Sequence, residues 1–252
     1  LCEDISVAGT PFFLMDHVEG NIFWDLTLTK CSAEERGKIY WSMNDTIAKL
    51  HNADFKRIGL SDYGKHENYM ARQIARWTKQ YKDSETTLIP EMDNLIEWLP
   101  KNIPSGEETS IVHGDFRLDN MVFDKDTNEV IAILDWELST LGHPIADFTY
   151  HMMCWKLPLA VKGIGILGAN LKELNIPNEN EYAEAYYKKT NRNEIQDWDF
   201  FLAYNMFRLA GITQGIAGRV RDGTASSDQA KQYAAFVPIL AKMAWHTVEA
   251  IK

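Results

Sequence analysis

A short apolar run that leads into a dense polar loop constrains this chain more than any other feature. The segment 111–123 contains a predicted strand, a loop with one histidine, two aspartates and one asparagine, and a second apolar run. Turn-forming residues follow, and the segment 130–137 begins with another predicted strand that ends at Asp135. This order places Asp115, Asn120 and Asp135 at strand or loop ends, where polar side chains can converge.

The spacing of these polar residues is typical of phosphoryl-transfer chemistry. Asn120 follows Asp115 by five positions, as in the catalytic loop of protein kinases. Transfer of a γ-phosphoryl group needs Mg²⁺ to neutralise the phosphate oxygens, and Mg²⁺ prefers carboxylate and amide oxygens as ligands. A separate carboxylate must orient the accepting hydroxyl and take its proton. The pattern therefore predicts Asp115 as the catalytic base, with Asn120 and Asp135 as the Mg²⁺ ligands.

Longer matches to a known family surround these residues. The motif His-Gly-Asp at 113–115, with Asn120 and the later run 134–137, resembles the aminoglycoside phosphotransferase and choline kinase superfamily. The run 135–147 is similar to one branch of it, the bacterial stand-alone phosphotransferases and the kinase-like domain fused to some acyl-CoA dehydrogenases. The resemblance covers almost all 252 residues. Other matching stretches are 13–20, 71–77 and 222–227.

The resemblance implies an α+β, protein-kinase-like fold. Residues 1–20 would form the end of the N-terminal lobe and the hinge, and residues 21–252 the mostly helical C-terminal lobe. That lobe would comprise the catalytic loop at 111–123, a metal-binding strand end at 130–137 and a helical acceptor subdomain at 146–252. The N-terminal lobe, with its glycine-rich phosphate loop, is expected to be largely absent from this chain, so the chain alone should bind nucleotide poorly.

The resemblance also assigns roles to residues outside the catalytic loop. Met15, Asp16 and His17 would line the adenine site of ATP. His113 and Asp147 would give structural support to the loop. The implied reaction is the transfer of the ATP γ-phosphoryl group, with Mg²⁺, to a hydroxyl of a small molecule.

The predicted acceptor site is less defined. Arg117, Glu137 and Arg208 are its candidate residues, and arginine suits a carboxylate or phosphate group. The dehydrogenase-fused branch favours a hydroxy acid or a hydroxyacyl thioester, whereas the broader family favours aminoglycosides, choline or sugars. Fusion to or association with an acyl-CoA dehydrogenase is implied by resemblance only.

Composition argues against several other classes of protein. The formal charge of −10 and pI near 5.2 disfavour nucleic acid as the main partner, because phosphate binding needs a basic face. The three cysteines have no metal-binding spacing. No apolar run is long enough for a membrane span, and no basic, then apolar leader opens the chain. These features favour a cytoplasmic protein.

Helical patterns occupy much of the remaining sequence. Ser32 and Glu35 predict a capping box at the start of a helix that ends at His51, where the imidazole would be solvated or structural. Further helices are predicted at 66–82, 88–98, 181–189, 195–220 and 227–251.

Two alternative functions compete with an active kinase. A pseudokinase or nucleotide-binding module would share the fold without the transfer reaction. A metal-dependent hydrolase would use His143, Asp147 and His151, which share one face if they lie on a helix, together with His113 and Asp115. Pro144 argues against this second alternative, because proline is favoured in the first helical turn and would leave His143 outside the helix.

Overall fold

Helices make up most of the fold, which we describe from a computed structural model of the protein. The structure describes residues 1–159, 164–193, 197–224 and 230–251. The α-helices in these ranges are α1 (Ile5–Ala8), α2 (Ala33–His51), α3 (Tyr69–Ser84), α4 (Pro90–Trp98), α5 (Pro144–Met152), α6 (Leu171–Leu174), α7 (Glu179–Lys189), α8 (Trp198–Arg221), α9 (Ala230–Ala234) and α10 (Val237–Glu249). Single-turn 3₁₀ segments lie at Leu99–Lys101, Leu118–Asn120, Trp136–Leu138 and Met153–Trp155.

Two antiparallel strand pairs frame the polar loop. The strands are β1 (Ser110–Val112), paired with β4 (Thr140–Gly142), and β2 (Met121–Phe123), paired with β3 (Val130–Ile133). In the second pair, the first residue of β2 lies opposite the last residue of β3. The loop before β2 and the residues after β3 therefore lie at the same end of this hairpin.

Helix α8 forms the centre of the core. Every residue from Phe200 to Gly211 is buried, as expected for a helix that is apolar on all sides. It packs against α3, α5, α9 and α10. A Cβ added at Gly218 would lie 3.1 Å from Ser84 Cβ, so this glycine allows α8 to pack closely against the end of α3.

The predicted helices are confirmed in position more than in their exact ends. Ser32 and Glu35 form the predicted capping box. The helix predicted at 66–82 begins at Tyr69, because Asn68 adopts a left-handed conformation with φ of 54° that cannot continue a helix.

The last predicted helix is divided. Helix α9 ends at Ala234, and α10 starts three residues later with Pro238 in its first turn, where proline loses no intrahelical hydrogen bond. The predicted starts at Ile195 and Ser227, and part of the matching stretch 222–227, lie outside the described residues.

The N-terminal segment joins the hairpin next to the polar loop. Asn21 and Phe123 exchange two backbone hydrogen bonds of 2.8 Å. Gly20 makes this approach possible, since a Cβ there would lie 2.5 Å from the Phe123 carbonyl oxygen. Within the described ranges, no helix combines the length and apolar character that a membrane crossing requires.

Candidate active site

Asp115 is held in the polar loop by two hydrogen-bond donors. The Tyr150 hydroxyl donates to Asp115 Oδ1 at 2.7 Å, and the Asn120 side-chain amide donates to Oδ2 at 3.1 Å. The same amide donates to the backbone carbonyl of Asp115 at 2.9 Å. A carboxylate oxygen can accept more than one hydrogen bond, so Asp115 can still accept one from a ligand hydroxyl.

His113 is fully buried and braces the loop. Its Nε2 lies 2.8 Å from the Leu134 carbonyl oxygen, and its Nδ1 accepts from the Asp115 backbone N–H at 3.2 Å. These partners assign the ring proton to Nε2. Gly114 has φ of 84°, and a Cβ there would lie 2.7 Å from the Leu138 carbonyl oxygen, so the motif requires glycine at this position.

Asp147, in the first turn of α5, binds the backbone of the same loop. Its carboxylate accepts from the backbone N–H groups of His113 and Gly114, each at 2.8 Å, and lies 3.2 Å from His51 Nε2. His51 Nδ1 is 2.7 Å from the Tyr186 hydroxyl. Burial disfavours the charged carboxylate, but the hydrogen bonds from His51 and the loop amides outweigh burial and lower the pKa of Asp147.

Arg208 contacts the loop from α8. It donates from Nη2 to the Gly114 carbonyl oxygen, and its guanidinium carbon lies 4.6 Å from the Tyr150 ring centroid and 5.2 Å from that of Trp77. The side chain is buried. The observed partners of Arg208 are therefore the polar loop and two aromatic rings. Its contact with an acceptor stays a prediction.

The two predicted metal ligands lie at the same end of the hairpin. The Leu134 backbone N–H donates to the Asn120 carbonyl oxygen at 2.8 Å, which holds the residue before Asp135 against the loop. Asp135 is exposed and adopts φ of 63°. Because Asn120 donates from Nδ2 to Asp115, its Oδ1 remains as an oxygen ligand at the end of the hairpin where Asp135 also lies. This donor set fits Mg²⁺, which prefers hard oxygen ligands.

A small cavity lies beside the polar loop. Its volume is about 40 Å³, and most of its lining is apolar. Arg117 and Asp119 form a charged pair at this cavity, with Arg117 Nε 3.0 Å from Asp119 Oδ1. Burial opposes the charge on Arg117, but Asp119 outweighs it and raises the Arg117 pKa. The other lining residues are Leu26, Leu118, Tyr150, His151, Met153, Cys154, Ile164 and Leu209.

Four predicted site residues lie on exposed segments. Glu137 is exposed in the 3₁₀ turn after Asp135. Met15, Asp16 and His17 lie on an exposed segment outside helices and strands, with 69% of Met15 accessible. The backbone pair at Asn21 follows this segment and joins the chain to the hairpin. Their predicted contacts with acceptor and adenine stay predictions.

The residues of the alternative metal site have separate partners. His143 caps α5 by accepting from the Ile145 backbone N–H at 3.3 Å, Asp147 binds the loop amides, and His151 Nε2 is 2.8 Å from the Tyr182 hydroxyl. Burial lowers the pKa of both histidines to about 4. In the part of the chain that the structure describes, no group of three or more His, Cys, Asp or Glu side chains could hold a metal ion.

Tyr150 and His51 complete the site, although neither was predicted to contact it. Tyr150 lies three positions after Asp147, and this helical spacing is a signal that could have indicated it. His51 contacts a residue 96 positions away in sequence, and no local spacing indicates that contact.

Comparisons with known proteins identify the family and the fold of the chain. The model of the phosphotransferase enzyme family matches residues 1–173. A crystal structure from Ralstonia eutropha JMP134, which bears an aminoglycoside phosphotransferase name, is 50% identical with a TM-score of 0.92 and covers 99% of this chain and 76% of that one. Choline kinase from Cryptosporidium parvum Iowa II shares the fold, with a TM-score of 0.61 at 11% identity over 93% of this chain and 70% of that one.

The curated relatives are longer proteins. Acyl-CoA dehydrogenase family member 10 of Mus musculus is 41% identical over 246 residues, which are 97% of this chain and 23% of that protein. Family member 11 of Homo sapiens is 41% identical over 243 residues, 96% of this chain and 31% of that protein. The chain thus spans about a quarter to a third of the length of these relatives. With its α+β, protein-kinase-like fold, the chain belongs to the phosphotransferase enzyme family.

Proposed function

We propose that this phosphotransferase transfers the γ-phosphoryl group of ATP to a hydroxyl of a small molecule. The observation that carries the proposal is the clamped carboxylate of Asp115, with Asn120 and Asp135 at the same end of the β2–β3 hairpin. Phosphoryl transfer depends mainly on positioning and electrostatic stabilisation, so a preorganised carboxylate beside two oxygen donors suits it.

Each residue of the loop has a distinct role in this proposal. Asp115 orients the accepting hydroxyl and takes its proton late in the reaction. Asn120 and Asp135 hold Mg²⁺, which when bound neutralises negative charge on the phosphate oxygens. His113 and Asp147 keep the loop backbone in place, so that Asp115 needs no rearrangement when the acceptor binds.

The nucleotide would bind along the exposed N-terminal segment. Met15, Asp16 and His17 would face the adenine with their backbone groups. The match of the family model from residue 1 onward supports a role for this segment within a phosphotransferase domain. Its connection to β2 through Asn21 and Phe123 places it next to the catalytic hairpin.

The acceptor that we favour is a hydroxy acid or a hydroxyacyl thioester. Relatives named acyl-CoA dehydrogenase family members align with nearly the whole chain. The cavity beside the catalytic loop is mostly apolar and includes Arg117, a combination that suits an acyl group with a nearby anion. Aminoglycosides and choline are cations and would need carboxylate-rich or aromatic walls instead. Association with an acyl-CoA dehydrogenase is part of this proposal.

The test uses the complete reading frame that contains this chain, supplied with labelled ATP and Mg²⁺. Hydroxy acids, hydroxyacyl thioesters, choline, sugars and aminoglycosides are offered as acceptors, and Asp115→Ala is assayed beside the wild type. We expect label on one acceptor class and a loss of about 10²-fold or more in the variant. Asp126→Ala, at an exposed turn residue of the same hairpin, is the matched control and should keep full transfer.

The alternatives predict different results in the same assay. MgATP binding without transfer to any acceptor would favour a nucleotide-binding pseudokinase. Equal transfer by wild type and Asp115→Ala would reject the role of Asp115 as the base.

A further inference from the structure

We propose that Tyr150 is a positioning residue for the transfer reaction and that Arg208 holds it in place. This inference rests on the proposed function. Tyr150 donates its hydroxyl hydrogen to Asp115 Oδ1 at 2.7 Å and has only 5% of its surface exposed. Because the hydroxyl contacts the catalytic carboxylate, Tyr150 can act on the reaction through Asp115.

The hydroxyl restricts how the Asp115 carboxylate can rotate. The terminal torsion of an aspartate is broad and has no sharp preference of its own. Asn120 reaches Oδ2 at 3.1 Å while Tyr150 reaches Oδ1, and one orientation of the carboxylate satisfies both donors. A fixed orientation keeps the remaining lone pairs aimed at the accepting hydroxyl, which is the geometric condition for fast transfer.

The position of Tyr150 relative to the loop is fixed by the hydrogen bonds of its own helix, α5. Asp147, one helical turn earlier on α5, binds two loop amides at 2.8 Å. Asn205 of α8 donates to the Ala146 carbonyl oxygen and to Thr149 Oγ1, each at 2.9 Å. These contacts tie α5 to the loop on one side and to α8 on the other, so the Tyr150 hydroxyl cannot shift without moving the helix.

Arg208 supports the aromatic ring of Tyr150. Its guanidinium carbon lies 4.6 Å from the ring centroid, while its Nη2 donates to the Gly114 carbonyl oxygen. A cation over the ring face attracts the ring electrons and makes the phenol a stronger donor. Burial and the charge of Asp115 raise the pKa of Tyr150, so its proton stays on the phenol and remains available for donation.

The test begins with Tyr150→Phe, which removes the hydroxyl and keeps the ring beneath Arg208. We expect kcat to fall by about tenfold or more, while KM for ATP stays within about twofold. Tyr182→Phe is the matched control, because its buried hydroxyl binds His151 and not the catalytic loop. It should keep the wild-type kcat. Circular dichroism at the assay temperature verifies that the variants are folded.

A double-mutant comparison separates positioning from a general structural effect. If Tyr150 acts through Asp115, adding Tyr150→Phe to Asp115→Asn should lower the residual kcat by less than about twofold. The same loss in both backgrounds would overturn the inference, as would a wild-type kcat for Tyr150→Phe. If Tyr150→Phe does not fold, Arg208→Lys takes its place and should lower kcat without raising the acceptor KM.

Failure of the inference and failure of the proposed function give different results. An active wild type with an unaffected Tyr150→Phe would reject the inference alone. A wild type that transfers no phosphoryl group to any acceptor would reject the proposed function and this inference together.

Discussion

The polar loop and the N-terminal segment 13–18 differ in how many contacts with the rest of the protein fix their geometry. The loop is bonded to α5 through Asp147 and to α8 through Arg208, and Asp147 in turn contacts His51 of α2; these three side chains are buried. The segment 13–18 lies outside helices and strands and is exposed, with 88% of Leu14 accessible.

The two regions would therefore contribute to function in different ways. A loop with this many fixed contacts holds its reacting groups before any ligand binds, which is how preorganised sites lower a reaction barrier. The exposed segment offers backbone groups and apolar side chains, which a bound nucleotide would bring into their final arrangement. Variants in the two regions should therefore affect folding and activity in different proportions.

The largest expected effect is that of Asp147→Ala. Loss of this buried carboxylate leaves two loop amides and His51 without their acceptor, so the free energy of unfolding should fall by about 3–5 kcal/mol and transfer should be lost. Urea unfolding and the transfer assay measure both effects. A variant as stable as the wild type would contradict the supporting role of Asp147.

Asp135→Ala provides the contrasting case at an exposed carboxylate. Without this Mg²⁺ ligand, transfer should fall on the order of 10²-fold or more, because the metal supplies several kcal/mol of charge stabilisation. The free energy of unfolding should fall by at most about 1–2 kcal/mol, because Asp135 is exposed and alanine adds only the cost of its left-handed backbone. An equal fall in the free energy of unfolding for Asp135→Ala and Asp147→Ala would contradict the assignment of a structural role to Asp147 and a metal-binding role to Asp135.

Acid should weaken the buried network progressively. Burial lowers the pKa of His143 and His151 from 6.5 to about 4, so between these pH values the unfolded chain binds protons that the folded chain does not. The free energy of unfolding should therefore fall as the pH drops from 6.5 to 4, by up to about 3 kcal/mol for each histidine. Asp147 contributes at lower pH. Because its pKa in the folded state lies below the ordinary value of 3.8, its contribution to stability is present above pH 3.8 and is lost as the pH falls further.

The substitution His143→Asn tests this assignment. Asparagine can still cap α5, but it does not titrate. Unfolding measured between pH 7 and 4.5 should show about half the wild-type pH dependence. An unchanged slope would show that other groups cause it.

The smallest expected effect belongs to the N-terminal segment. Met15→Ala should raise KM for ATP by about fivefold, corresponding to about 1 kcal/mol of apolar contact with adenine, and leave the unfolding transition unchanged. Val7→Ala in α1, also at an exposed apolar residue, is the control and should leave KM unaffected. A large loss of stability in Met15→Ala would mean that the segment is part of the folded core.

The sequence predicted the local elements of the site better than its supports. The strands around the loop, the capping box at Ser32 and the position of His143 before α5 follow from propensity and turn chemistry, which act over a few residues. The contact of Arg208 with Gly114 spans 94 positions, and that of Tyr150 with Asp115 spans 35. Such pairs depend on how helices pack, and no periodicity in one segment contains that information.

The same reasoning explains the errors at helix ends. Helix α3 starts later than predicted because Asn68 adopts a left-handed conformation. Asparagine tolerates this conformation but does not require it, so the sequence alone does not indicate it. The division between α9 and α10 near Pro238 is a local proline effect that the long apolar pattern conceals.

The most direct test of the central claim compares Asp115→Asn with the wild type in binding and in transfer. The amide keeps the size of the side chain, and its oxygen can accept from Asn120 while its NH₂ group donates to the Tyr150 hydroxyl oxygen, but it cannot act as the base. We predict a Kd for MgATP within about twofold of the wild type, measured by calorimetry, and a γ-phosphoryl transfer rate lower by about 10²-fold or more. Transfer at the wild-type rate in Asp115→Asn would contradict the account.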